Sequence, residues 1–155
     1  LDCIDLSDEF YKVGNTNGRL YMALGFPNSK NKKFIRGSKK LKSKRFSYTA
    51  TVKPDKNIFK EIGVTQDNHL LLNYDFKFSS DDKGNKTNSV NPTGMSGGAL
   101  IELGNFSNPQ IFKPGQPCSC RVVGMVIEGY KEKKVVLVVK LDFIVKQILK
   151  EMSVS

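Results

Sequence analysis

Five consecutive residues, Gly94-Met95-Ser96-Gly97-Gly98, set a hydroxyl among glycines and run directly into the apolar segment Ala99, Leu100, Ile101. Acyl transfer by serine needs a hydroxyl carried on a tight turn, with backbone amides aimed at the oxyanion that forms on the attacked carbonyl. Glycine suits both needs, because it adopts backbone conformations that a Cβ forbids and lets another chain approach closely. At this spacing the N–H groups of Gly94 and Ser96 can converge on one point, while Gly97 and Gly98 leave room for a substrate backbone. The competing reading is a glycine-rich loop with an incidental serine. A serine hydroxyl is a weak nucleophile at neutral pH without a general base. The chain has one histidine, His69, beside the polar positions Asn73 and Asp75, and is read there as a surface residue.

The elements that must position this turn are mostly strands. Phe46, Tyr48, Ala50 and Val52 alternate with Ser47, Thr49, Thr51 and Lys53, the period of two of a strand with one face inward. Leu70, Leu72, Tyr74, Phe76 and Phe78 repeat the pattern, as do Leu20, Met22 and Leu24. Ala99 to Leu103, Arg121 to Ile127 and Val135 to Lys140 are short apolar or β-branched runs, as expected of strands buried on both faces. Six strands in one domain predict a barrel or a sandwich. The tail departs from this period: Leu141, Ile144, Val145, Ile148, Leu149 and Met152 recur at steps of three and four, one apolar stripe of a helix packed on the sheet. Asp142 near its start and Lys146 and Lys150 near its end suit the helix dipole. Residues 30–45, 79–92 and 105–116 are polar and rich in Asn, Ser, Gly or Pro, hence loops.

With 155 residues, 39% of them hydrophobic and 26% charged, the chain belongs to the globular class and can build one core. No apolar stretch is long enough to span a bilayer, and no signal-peptide pattern opens the chain. It begins at Leu1 rather than Met, so upstream residues are expected to have been removed. The three cysteines, Cys3, Cys118 and Cys120, are odd in number and two are too close to pair easily. Free thiols point to a reducing, cytoplasmic compartment. With His69 they match the count of a zinc site but not its paired-ligand spacing, so no metal or cofactor is expected. Nine of the ten excess positive charges lie between Lys30 and Arg45, with no acid among them. Such a run can hold nucleic acid through phosphate contacts, but a solvated loop is the commoner fate of cations interrupted by Asn, Ser and Gly.

Gly94 to Gly98 resembles the nucleophile motif of the trypsin-like, chymotrypsin-fold serine peptidases. The segments that follow agree in order. Gly124-Met125-Val126-Ile127-Glu128-Gly129 resembles the family's strand that begins and ends in glycine and binds the substrate backbone beside the specificity pocket. Val135 to Lys140 and the helix from Leu141 resemble the last strand and closing helix. The resemblance covers essentially the whole chain and implies an all-β fold, a six-stranded antiparallel β-barrel with a C-terminal α-helix. Residues 18–155 would form this second barrel, and residues 1–17 the end of the first barrel with the crossing linker. The implied activity is endopeptidase hydrolysis of a protein or peptide through an acyl-enzyme on Ser96, without cofactor.

Residue by residue, the resemblance makes Ser96 the nucleophile and gives the oxyanion hole to the amides of Gly94 and Ser96. It places Val90, six residues before the nucleophile, at the base of the specificity pocket, and Ile127, Glu128 and Gly129 along the substrate. Asp2, opening the stretch Asp2-Cys3-Ile4-Asp5-Leu6, resembles the family's triad aspartate and is preferred to Asp5 for its separation from Ser96. The family's histidine precedes that aspartate. No histidine stands there in this chain, so an upstream barrel is expected to supply it, and the chain as given is expected to be inactive. Met95 occupies a position where many animal members carry an aspartate that pairs with a newly cut N-terminus. That form of activation is excluded here, and the likeness is to bacterial members. A peptidase-like module that binds protein or, with less support, nucleic acid without catalysis is the alternative.

Overall fold

A computed structural model describes residues 11–28, 44–75, 77, 79–80, 85–105 and 120–153. The candidate acid Asp2, the thiols Cys3 and Cys118, and residues 29–43 of the basic stretch lie outside these. The described chain runs β1 (Arg19–Gly25), β2 (Phe46–Ala50), α1 (Lys56–Ile62), β3 (His69–Asn73), β4 (Ser79–Ser80), β5 (Lys86–Thr87), β6 (Ala99–Asn105), β7 (Arg121–Tyr130), β8 (Val135–Lys140) and α2 (Leu141–Met152). Six strands form one antiparallel sheet in the order β2-β1-β6-β7-β8-β3. The sheet curls into a half-barrel. Its two outer strands approach each other where Val52 bridges Leu72, with Lys53 N–H donating to Leu71 O at 2.7 Å and Asn73 N–H to Thr51 O at 2.9 Å.

The concave side holds the main core of Tyr21, Ala23, Ala50, Leu70, Leu72, Tyr74, Met95, Leu100, Val123, Val126, Val136 and Val138. In β1 the buried residues are Tyr21, Ala23 and Gly25, so the inward face is the one opposite to the expected Leu20, Met22 and Leu24. Glycine is needed at position 25 because the Met95 side chain packs against it. β2 keeps the expected alternation, with Ser47 and Thr49 exposed. Five consecutive valines and leucines of β8 are buried, as the apolar run requires of a strand covered on both faces.

The cover on the convex side is α1, which the alternation pattern did not reveal. Leu71, Val135 and Leu137 face outward from the half-barrel and pack under Ile58 and Phe59. Without such a lid, three large apolar side chains would meet water. The Asp55 carboxylate starts the helix by accepting from the N–H groups of Asn57 and Ile58 at 3.1 and 3.3 Å, a side-chain N-cap. Gly63 ends it, its N–H reaching Lys60 O while Val64 N–H reaches Phe59 O, a glycine-terminated helix end. β3 stops at Asn73 rather than running to Phe78, and a two-residue pairing, β4 with β5, lies within the expected loop 79–92.

α2 follows β8 without a break, and its Asp142 carboxylate accepts from Phe143 N–H at 2.9 Å and pairs with Lys146 at 3.6 Å. Only Val145 of the expected apolar stripe is fully buried; Ile148, Leu149 and Met152 are exposed. The helix touches β7 and β8. Among the described residues no helix is long and apolar enough to cross a membrane.

One end of the concave core is polar. Glu102 on β6, only 3% exposed, is gripped by Arg19 of β1 and by Arg121 of β7, the latter at 2.9 Å. Tyr21, opposite Glu102 in the register, has a buried hydroxyl without a partner among the described residues. Burial, and then the neighbouring Glu102 charge, push its phenol up to about 12.

Candidate active site

β6 lies between β1 and β7 in the sheet, so the turn that feeds it is flanked by the end of β1 and by the middle of β7. That placement decides what Ser96 can meet. The turn is closed by Met95 N–H donating to Pro92 O and Gly98 N–H donating to Met95 O, both at 2.8 Å. It is stitched to β7 by Gly97 N–H to Val126 O at 2.9 Å and Val126 N–H to Gly98 O at 2.8 Å, and to the end of β1 by Asn28 N–H to Thr93 O at 2.9 Å.

Two left-handed residues make this path. Gly94 has φ +90° and Gly97 has φ +83°, a region that a side chain disfavours. Between them the Met95 side chain turns inward and is buried in the main core, while Ser96 is exposed. The alternation of in and out across three residues anchors the turn by Met95 and leaves the hydroxyl on the rim. Met95 therefore anchors the turn by apolar packing in the main core.

The amide of Met95 is used within the turn, whereas among the described residues the amides of Gly94 and Ser96 on either side of it have no hydrogen-bond partner. These are the two donors expected of an oxyanion hole. A cleft of about 310 Å³ opens beside them, lined by Leu24, Gly25 and Phe26 at the end of β1 and by the turn itself. Phe26 is half exposed at this wall. The sequence reading missed Phe26 and Asn28; the Phe26-Pro27-Asn28 turn that ends β1 was the available signal.

On the opposite flank the Ser96 hydroxyl donates to Ile127 O at 2.5 Å. That carbonyl is free to accept because the register of β7 with β8 shifts between Val126 and Glu128, leaving Ile127 as an extra residue in the ladder. A β-bulge redirects peptide groups in this way, and bulges recur beside active sites. β6 pairs with β7 only as far as Met125, and the turn adds Val126. From Glu128 to Tyr130 the strand is paired with β8 on one side, and no described strand occupies the other. An open strand edge beside an exposed serine can accept an extended peptide as an added strand.

The remaining expected site residues are placed as follows. Val90 is half-buried, and its carbonyl accepts from the Tyr74 hydroxyl. Gly129 faces Pro92 so closely that a Cβ there would overlap Pro92 Cγ and lie 3.3 Å from Pro92 Cβ. Glu128 is exposed and turned to the other face: burial, and then the Glu128 carboxylate beside it, raise the Tyr130 phenol, and residues two apart on a strand share a face. Its charge is thus directed away from the space between Val90 and Gly129. His69 pairs with Val139, which pairs with Met125, which pairs with Ala99. It therefore stands three strand spacings from the serine turn, about 14 Å along the sheet, with its Nδ1 3.2 Å from Thr65 O. It belongs to a different part of the molecule.

A scan against protein-family models finds no match for the chain, and a search among curated proteins finds none either.

Proposed function

We propose that the chain carries the nucleophile half of a trypsin-like serine endopeptidase, with Ser96 attacking a peptide carbonyl to form an acyl-enzyme. The observation that carries this reading is the turn 94–98: an exposed Ser96 hydroxyl with the Gly94 and Ser96 amides unpaired among the described residues, held by a buried methionine and two left-handed glycines. A carbonyl oxygen seated against the Gly94 and Ser96 N–H groups would gain donors oriented before the reaction, which is how developing negative charge is stabilised. The β7 edge, which no described strand occupies, supports a peptide substrate, since it offers main-chain hydrogen bonds regardless of side chain. The half-barrel then corresponds to the second barrel of that fold, with closure through the Val52–Leu72 bridge.

The base must come from outside these residues. His69 is the one histidine of the chain and lies across the sheet from Ser96. A histidine delivered over the turn would take the Ser96 proton in place of Ile127 O, and the nucleophile would then attack with the imidazolium stabilised by a carboxylate such as Asp2. The test is a fluorophosphonate probe applied to the protein together with its natural upstream sequence. Adduct mass on the peptide bearing Ser96, lost in Ser96→Ala, is the expected result; absence of any adduct with a histidine-bearing upstream segment present overturns the proposal.

A second reading, a peptide-binding module without catalysis, is favoured by one contact. The hydroxyl donates to a main-chain carbonyl rather than to a base, while the open β7 edge needs no catalyst to add a strand. A parent gene with no histidine codon upstream of Leu1 would select this reading. Nucleic-acid binding through residues 30–45 would show affinity falling steeply with salt; of that stretch the described residues include Lys44 and Arg45, both exposed.

A further inference from the structure

The two flanks of Ser96 are unequal. On the β1 side the cleft beside Phe26 is open. On the β7 side, where an extended peptide would add to the free edge, the space over Gly129 is taken by the Pro92 ring, which is itself buried. The side chain of the residue that bears the attacked carbonyl, on a peptide laid along that edge, would have to enter between the segment Val90–Thr93 and Gly129. The approach of Pro92 leaves no room for even a single added carbon at Gly129, with Cβ and Cδ of the ring only 3.3 and 3.7 Å from it.

This closure is built in rather than incidental, because the segment bearing Pro92 is fastened along its length. The Val90 carbonyl accepts from Tyr74, whose ring is buried in the main core. Asn91 Oδ1 accepts from Thr93 N–H at 3.1 Å and from Thr93 Oγ1 at 2.8 Å, an Asx turn that sets the bend around the proline. Pro92 O accepts from Met95 N–H, and Thr93 O accepts from Asn28 N–H. The proline ring fixes its own φ, so opening the slot would break several of these bonds together.

Resting on the reading of Ser96 as an acyl-transfer nucleophile, we infer that Pro92 is a specificity-determining residue that restricts the acyl-side residue of the substrate to glycine or alanine. Neither a basic nor an aromatic side chain fits, and the exposed Glu128 does not reverse this, since its carboxylate faces away from the slot.

The experiment is a binding series with short peptidyl boronic acids, whose boron forms a tetrahedral adduct with a serine hydroxyl. They would differ only in the residue next to boron: glycine, alanine, valine, phenylalanine or arginine. Binding to the protein carrying its natural upstream sequence is followed by ¹¹B and protein NMR, with Ser96→Ala as the control for adduct formation. Expected is affinity for the glycine and alanine compounds exceeding that for phenylalanine and arginine by roughly tenfold or more, the scale on which a pocket rejects excess volume. In Pro92→Gly, and in Pro92→Ala as a milder variant, the phenylalanine compound should gain at least several-fold relative to alanine. Equal or stronger binding of the large compounds by the parent chain would overturn the inference and leave the peptidase reading standing. Failure of every boronate to form a Ser96-dependent adduct would overturn both. If both variants prove unfolded by their NMR spectra, the parent's order of affinities alone decides.

Discussion

Replacing Gly94 by alanine tests the geometry on which the site depends. At φ +90° an alanine is strained before it touches anything, at a cost of about 1–3 kcal/mol. Its Cβ would also stand 2.6 Å from Asn28 Cγ and 2.9 Å from Asn28 N. The side-chain part of that overlap can be relieved by a rotation, but the backbone part cannot, because Asn28 N–H is tied to Thr93 O. Forced overlap of this kind costs about 1–3 kcal/mol, so the two effects sum to roughly 2–6 kcal/mol. For a domain of this size each kcal/mol lowers Tm by about 2–4 °C, and calorimetry should show a fall of roughly 4–24 °C. Asn28→Gly in the same background removes Asn28 Cγ and Oδ1 but leaves the strained φ and the backbone contact with residue 28 N, so only a minor part of the loss should return and the double-mutant cycle should show small coupling. In protein carrying the upstream sequence, fluorophosphonate labelling of Ser96 should fall by about 10²-fold, the usual effect of losing an oxyanion donor. A Gly94→Ala variant melting within about 1 °C of its parent would refute the left-handed turn and the reasoning built on it.

Four further outcomes follow from the polar end of the core and from the serine turn. Tyr21→Phe should leave stability equal or raise it by up to about 1 kcal/mol in urea unfolding, because the buried hydroxyl has no partner to lose. The Tyr21 phenol lies near 12 in the folded chain against 10 when unfolded. Its contribution is therefore intact below pH 10 and is lost between 10 and 12, by about 2–3 kcal/mol; a pH series in which Tyr21→Phe is no flatter than the parent over that interval would contradict this. Glu102→Ala should destabilise by about 2–3 kcal/mol, less than for a fully buried pair because Arg19 and Arg121 keep part of their water, and a thermal shift below about 2 °C would count against the network. The chain by itself should show no steady hydrolysis of casein or peptide esters, since no base among the described residues reaches Ser96; turnover abolished by Ser96→Ala would mean that another group acts as base.

Much of the scaffold was legible because burial in a sheet imposes a period that residues such as Phe46, Tyr48 and Ala50 display directly. α1 was harder to read: its apolar residues Ile58, Phe59 and Ile62 are too few to establish a helical period. Its signals were local, Asp55 at one end and Gly63 at the other, together with the apolar outward residues Leu71, Val135 and Leu137, which need a cover. The inward face of β1 was misjudged because large apolar residues do not always point to the core. Where Met95 packs, a Cβ at position 25 would stand 3.2 Å from its side chain, so Gly25 fits there.

The five residues from Gly94 to Gly98 determined on their own that a serine could sit on a tight, glycine-made turn, since backbone freedom is a property of residue type. Which way that serine faces, which amides remain unpaired and what lies to either side are not local properties. They follow from the anchoring of Met95 in a core contributed by six strands, and from the bulge at Ile127 that turns a carbonyl toward the hydroxyl. The contact of Pro92 with Gly129, separated by 37 positions in the chain, exists only because β7 curls back past the turn. Pair distances of that kind depend on packing among distant segments, and no pattern within either segment encodes them.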